Sequence, residues 1–209
     1  MAQNKPKSVV REWVESILIA LVLAAFIRTY FVQPFKIPSG SMRMTLIEGD
    51  RLFVNKLSYG PKLLPEFLAV RFRDKLHVPD SLAKSRLPGF TKPKRGDIIV
   101  FVFPEDRTRD FIKRLIAFGG ETVEIRDGKI YVNGAMIDEP RIRNTYYYNY
   151  GKYAQKNQKV LVPKGHYFAM GDNSMSSHDS RYWGFIPEDY VIGRAEFIFW
   201  PLTRVRTLK

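Results

Sequence analysis

The chain has 209 residues, a formal net charge of +13 and no cysteine. Without cysteine there is no disulfide framework and no thiolate metal site, while the length less an N-terminal segment leaves about 175 residues, enough for one domain with a substantial core. Fifteen Phe, eleven Tyr and three Trp, with many Val and Ile, favour a β-rich body.

Residues Trp13 to Val32 are mainly apolar, with an uninterrupted run of eleven residues from Ile17 to Ile27. Glu15 and Ser16 precede the run and Arg28 and Thr29 follow it. With snorkelling ends the span approaches the ~20 residues a bilayer requires, and Trp13 and Tyr30 sit where interfacial aromatics belong. Lys5, Lys7 and Arg11 ahead of a short apolar core also fit a cleavable leader. No small-x-small cleavage site follows Ile27, and the apolar run goes round all faces, which disfavours a buried amphipathic helix. The predicted organisation is an N-terminal segment (1–11), a transmembrane anchor (12–33) and a β-rich body (34–209). Charge specifies orientation weakly, because Arg28, Lys36 and Arg43 balance the basic residues before the run.

After Gln33-Pro34 the pattern changes to short strands and turns. Arg51 to Leu57 reads as a strand, and Ile98 to Phe103 as a buried one. Asp110 to Phe118 is a further strand. Thr122 to Arg126 and Lys129 to Val132 are joined by Asp127-Gly128, and Asn133-Gly134 turns the chain again; both dipeptides suit type I′ turns, whose central positions need positive φ. Lys159 to Val162, Tyr167 to Met170 and Arg194 to Trp200 complete the set. Two insertions interrupt it. The stretch near 60–94 holds five prolines and predicts a long excursion with one short helix near Phe67. The stretch near 141–160, rich in Tyr, Asn, Lys and Gln, predicts an exposed loop or edge hairpin. The fold class is mainly β, antiparallel sheets behind an N-terminal transmembrane helix.

Three segments carry chemistry. Pro38-Ser39-Gly40-Ser41-Met42 offers a serine just beyond the anchor; Gly40 admits close backbone approach, and the Ser39 hydroxyl and Ser41 N–H can face an oxyanion. A serine nucleophile needs a base. His77 lies in the first insertion and His166 opens a strand. His178 precedes Asp179, and adjacent residues point apart, which counts against a Ser/His/Asp triad. Lysine is the other candidate. In a strand from Asp110 to Phe118, Phe111, Lys113 and Leu115 share one face, and an apolar setting lowers a lysine pKa from ~10.4 toward neutrality. Arg114 occupies the other face; alternation does not say which cation points inward, but only lysine can lose its proton. The third segment runs from Gly171 to Arg181. Its small residues make a tight loop, its hydroxyls can steer an amine, and Asp179 and Arg181 can brace it. Its spacing does not match an EF-hand, and no metal site is expected.

On these three segments, in this order after an apolar anchor, the chain resembles the bacterial type I signal peptidases (leader peptidases), Ser/Lys membrane serine proteases. The resemblance implies Ser41 as nucleophile, Lys113 as general base, and Ser39 with Ser41 as oxyanion hole. It implies that Ser177 orients the lysine amine and that Asp179 and Arg181 form a structural pair. Phe35, Ile37, Pro38, Met42, Phe111 and Ile112 match positions lining shallow pockets for small side chains, before a cut after Ala-x-Ala. It further implies an all-β catalytic fold and no cofactor, with preproteins bearing signal peptides and membrane lipid as partners. The expected location is the bacterial cell (inner) membrane, single-pass, with the catalytic domain on the outer side. Two departures stand out: Met44-Thr45-Leu46 where the family usually has Pro-Thr-Leu, and Ala117-Phe118-Gly119-Gly120-Glu121 where it usually has Gly-Leu-Pro-Gly-Asp.

The net charge has other readings. Nucleic-acid binding is one and anionic headgroups another. The basic residues are scattered (Arg71, Arg73, Lys92, Lys94, Lys152, Lys156), so no nucleic acid is expected. A Ser/His hydrolase using His178 or His166, and a non-enzymatic membrane-tethered basic binding protein, remain as alternatives.

Overall fold

The computed structural model describes residues 9–208; the basic Lys5 and Lys7 of the expected N-terminal segment lie outside the described residues. Helix α1 (Val9–Tyr30) is the first element of the described residues and buries none of its own. Its apolar run is hemmed by Arg11, Glu12 and Glu15 at one end and Arg28 at the other, and no helix among the described residues is long and apolar enough to cross a membrane.

The body is built from two antiparallel sheets. Its strands are β1 (Val32–Lys36), β2 (Arg51–Asn55), β3 (Ile98–Val102), β4 (Asp110–Phe118), β5 (Thr122–Arg126), β6 (Lys129–Val132), β7 (Ala135–Met136), β8 (Lys159–Leu161), β9 (His166–Met170), β10 (Ile186–Pro187), β11 (Val191–Trp200) and β12 (Arg206–Thr207). Eight form one sheet in the order β1-β2-β11-β3-β4-β9-β10, with β12 paired to β11; the other four run β7-β6-β5-β8. The strand ends fall close to those expected from the hydrophobic pattern. Asp127 and Gly128 (φ 48° and 73°) and Asn133 and Gly134 (φ 52° and 83°) all adopt the positive φ of the two predicted turns.

The β4 strand joins two cores. Leu115 belongs to a cluster with Ile99, Phe101 and Met42, while Ile116 and Ala117 belong to one with Val123, Ile130, Phe168 and Met170. A strand covered on both faces loses polar alternation, so Lys113, Arg114, Leu115 and Ile116 are all buried.

Both insertions are more ordered than the sequence pattern suggests. The first carries a π-helical turn (Phe67–Arg71) and two short helices, α2 (Arg73–Leu76) and α3 (Asp80–Lys84), rather than one; Ala69, Val70 and Ala83 dock on the main core. The second is not an exposed loop. Helix α4 (Pro140–Arg143) starts it, capped by the Glu139 carboxylate accepting from Ile142 N, and Ile142, Tyr147 and Ala154 sink into the second core. The tyrosine spacing hid this: Tyr146 and Tyr150 face out while Tyr147 turns in.

Candidate active site

The chain turns sharply after β1. Gly40–Met42 forms a single 3-10 turn, which seats Ser41 at 7% exposure beside Lys113 at 4%. Lys113 Nζ donates to Ser41 Oγ at 2.8 Å and to Ile112 O at 2.9 Å, and lies 5.3 Å from the Phe111 ring centre. Burial pushes the Lys113 ammonium down from 10.5 to about 8, against the opposing pull of Asp179 and Asp172. Loss of hydration is costly for an ammonium, and here the nearby carboxylates do not offset it.

That depression has a stability consequence. At ~1.36 kcal/mol per pKa unit the protonated form costs the fold about 3 kcal/mol. The folded pKa lies below the unfolded one, so the unfolded chain binds more protons between about pH 8 and 10.5, and stability rises with pH through that window. Lys113→Met, which fits the same space without the charge, is expected to gain about 2 kcal/mol at pH 7. Urea unfolding at pH 7 and pH 10 checks this: the gain shrinks at the higher pH.

A second strand end holds the serine loop. After β9, Asn173 N donates to Ser41 O at 3.0 Å and Asn173 Nδ2 to Gly40 O at 2.9 Å. Asp172, at 3% exposure, accepts from Arg114 Nε at 2.7 Å, from Arg114 Nη2 at 2.5 Å and from Thr45 Oγ1 at 2.6 Å. Arg114 Nη1 also reaches Gly96 O at 2.6 Å. The two cations of β4 thus divide the work. Lys113 meets the serine and Arg114 ties the flanking loops together from the other face.

Asp179 and Arg181 are both fully buried. The Asp179 carboxylate accepts from Gly171 N at 3.0 Å and from Arg181 Nε at 2.8 Å and Nη2 at 2.9 Å. Arg181 further donates to Tyr148 O, Ser174 Oγ and Ser174 O, so the expected brace is present and also anchors the second insertion. A Cβ on Gly171 would sit 2.1 Å from Ser177 Oγ and 2.5 Å from Ser41 O. Gly171→Ala is therefore expected to displace both hydroxyl-bearing loops and cut turnover at least about 100-fold, because small misplacements at a reacting centre are expensive. Steady-state kinetics on protein shown folded by circular dichroism checks it.

The remaining expectations meet the structure unevenly. Ser177 is buried, yet its Oγ has no hydrogen-bond partner and does not hold the Lys113 amine; the amine's bonds go instead to Ser41 and the adjoining Ile112 carbonyl. Ser39 is exposed and extended (φ −141°, ψ 158°), and its side chain makes no capping bond. Phe35, Phe111 and Ile112 are half-buried against the main core. Ile37 and Met42 lie behind that surface, Met42 with no exposure at all and its sulfur 3.4 Å from Asp172 N. Pro38 faces solvent.

Histidine does not compete for the serine. His178 packs edge-on to Phe103 and against Tyr182, while its neighbour Asp179 is committed to Arg181 and Gly171. His166 Nδ1 lies 3.1 Å from Lys164 O, and His77 sits in the first insertion with φ 49°. No cluster of metal-ligating side chains occurs among the described residues. Sequence reasoning gave no role to Thr45, Arg114, Asp172 or Asn173. A clue was there: an arginine beside a buried lysine needs a carboxylate, and Asp172 stands just past the end of a predicted strand.

Comparison with known proteins identifies the family. The family model described as signal peptidase, peptidase S26, matches residues 10–200. A probable signal peptidase I-2 from Synechocystis is 35% identical, covering 99% of this chain and 80% of its own. Signal peptidase I T from Bacillus subtilis is 34% identical, covering 95% of this chain and 89% of its own. A crystal structure of a signal peptidase I from Enterococcus faecalis is 37% identical, covering 50% of this chain and 97% of its own, with a TM-score of 0.42. With a family match spanning nearly the whole chain and relatives similar over 80% and 89% of their own length, the chain belongs to the signal peptidase family, peptidase S26, and is a hydrolase of that family.

Proposed function

We propose that the protein is a membrane-anchored serine endopeptidase that removes N-terminal signal peptides from exported preproteins after small-x-small junctions, using Ser41 as nucleophile and Lys113 as general base. The observation that carries this reading is the 2.8 Å contact between Lys113 Nζ and Ser41 Oγ, with both side chains buried. With a pKa of about 8, about a tenth of the lysines are neutral at pH 7. In that form the hydroxyl proton points at the nitrogen lone pair, ready to transfer.

Ser41 Oγ attacks the scissile carbonyl as Lys113 takes its proton. The Ser41 N–H, at the start of a helical turn and without an intrahelical acceptor, and the exposed Ser39 hydroxyl receive the oxyanion. Lys113 then hands its proton to the departing amine. Water attacks the resulting ester with the same lysine as base and releases the acid. The unpartnered Ser177 hydroxyl is the proposed acceptor for a lysine N–H when the amine swings between these steps. Phe35, Phe111 and Ile112, packed over Ile37 and Met42, form the walls that admit small side chains, with Pro38 at the rim. No step requires a cofactor.

The catalytic domain proposed here runs from residue 34 to 209. Helix α1 is proposed as the anchor, with lipid as the occupant of its surface. Apolar side chains all around it are exposed, Leu18, Leu21 and Val22 at 60–63%, and nothing in the body covers them. Arg11 and Arg28 snorkel to complete the short apolar stretch, and the domain lies on the outer side of the bacterial cell membrane.

The test is cleavage of a preprotein with an Ala-x-Ala junction in detergent, read by mass spectrometry. Cleavage after the junction is expected, with kcat/KM rising by one titration through about pH 8 and level above it, since the deprotonated lysine is the active form. A profile that falls through that range, or no cleavage by folded protein, would overturn the assignment.

A further inference from the structure

Helix α1 runs into β1 with one residue between them. Phe31 N continues the helical pattern by donating to Ile27 O at 2.9 Å, while Phe31 O already receives the N–H of Lys56 at 2.9 Å. The side chain of the same Lys56 turns back to donate from Nζ to Thr29 O at 3.1 Å, one of the last carbonyls a helix leaves open. Lys56 is 6% exposed and follows directly on Asn55, which pairs with Val32 at the first rung of β1 and β2. At the other end of β1, Ile37 N donates to Asp50 O and Gly49 N to Ile37 O. The turn carrying Ser41 comes next. From Val9 to Ser41 the backbone thus passes from helix to paired strand to turn, with only Pro38 and Ser39 between the hydrogen-bonded Ile37 and the turn, and β1 alone covers about 17 Å of that path.

We propose that Lys56 locks α1 to the sheet so that the lipid-embedded helix holds Ser41 at a fixed height above the bilayer. That height makes the enzyme selective for the distance between a substrate's apolar segment and its junction. This rests on the reading of α1 as anchor and Ser41 as nucleophile. A domain on a loose tether samples many heights and accepts many spacings, whereas a pinned one accepts few. Lys56 is a positioning residue in this scheme and touches no reacting atom.

Because the chain has no cysteine, two can be introduced cleanly. Leu23→Cys and Leu161→Cys, both at exposed positions, would carry nitroxides in nanodiscs of phosphatidylethanolamine and phosphatidylglycerol. Pulsed electron resonance is expected to give one narrow distance in the parent. In Lys56→Met, and in a chain with Gly-Ser-Gly-Ser inserted between Phe31 and Val32, the distribution is expected to widen at least twofold. In the same discs, preproteins whose apolar segment and Ala-x-Ala junction are separated by a graded spacer should be cut with a sharp optimum by the parent and by Lys56→Arg. Both loosened variants should flatten the optimum while cutting a short soluble junction peptide at the parental rate. A broad distance in the parent, or an optimum that survives both loosened variants, overturns the proposal. A narrow distance without cleavage of either substrate overturns the selectivity together with the peptidase reading, and leaves only the lock.

Discussion

Ser41→Ala and Lys113→Met are each expected to lower kcat at least about 10⁴-fold, and the double variant to be no slower than either alone. The two side chains act as one device. An alkoxide precursor without its base, or a base without its hydroxyl, provides no nucleophile, so the second deletion removes nothing more. The 2.8 Å contact at nearly complete burial makes this coupling direct, with no intervening water to carry the proton. Lys113→Arg is expected to fail equally: a guanidinium stays protonated at any working pH and has no lone pair to offer. His178→Ala and His166→Ala should stay within a few-fold of the parent, because His178 packs on Phe103 and Tyr182 and His166 Nδ1 faces Lys164 O, whereas Ser41 Oγ is met by Lys113. Activity lost with His178 and retained without Lys113 would reverse the assignment of the base. Circular dichroism on each variant separates lost chemistry from lost fold, and Lys113→Met should melt higher than the parent at pH 7.

Much of this was readable from local rules. Asp127-Gly128 and Asn133-Gly134 fix two hairpins because few dipeptides tolerate two successive positive φ values, and the β5–β6–β7 meander follows. The run from Ile98 is apolar at every position because β3 lies inside the sheet. Sheet order was not readable. The pairing of β2 with β11 joins residues about 140 apart, and nothing in either strand's own pattern names its partner. The same non-locality explains the second insertion, where Tyr147 is buried only because the β5–β6 hairpin and the Arg181 brace come to meet it. Of the site, the serine and its base were legible as residue types matched to a task. Ser177 was expected on the lysine amine and is found without a partner, since hydroxyl rotation within a tight loop depends on neighbours that spacing does not specify. Arg114 was legible only as the cation that cannot be a base. Its partner Asp172 is 58 residues away.

That last pair and its neighbour Asp179–Arg181 set the largest expected effect on stability. Asp179→Ala is expected to cost about 3–5 kcal/mol, because it leaves a guanidinium of zero exposure facing its own carbonyl partners with no counter-charge. It also orphans the Gly171 N–H. For a chain of this size that lowers the melting midpoint by about 10 °C. Asp172→Ala should cost a similar amount by stranding Arg114, whereas Lys84→Ala, which breaks an exposed pair, should leave the midpoint where it is. Replacing both Asp179 and Arg181 with apolar residues is not expected to restore stability, though such swaps are neutral for many isolated pairs. Arg181 also supplies Tyr148 O and both oxygens of Ser174; without it Ser174 O would be left without a donor, and Tyr148 O and Ser174 Oγ would keep only the N–H of Tyr150 and of Tyr148. Thermal melts of the single and double variants distinguish the cases. A double variant as stable as the parent would mean that the ion pair is dispensable and that backbone bonds alone shape the loop. If the double stays unstable, Arg181 acts chiefly as the donor that folds residues 171–181 around Ser177 and against Ser41. Activity should then fall in Asp179→Ala further than the folded fraction does, since the loop that carries Gly171 and Asn173 also fixes the Ser41 carbonyl.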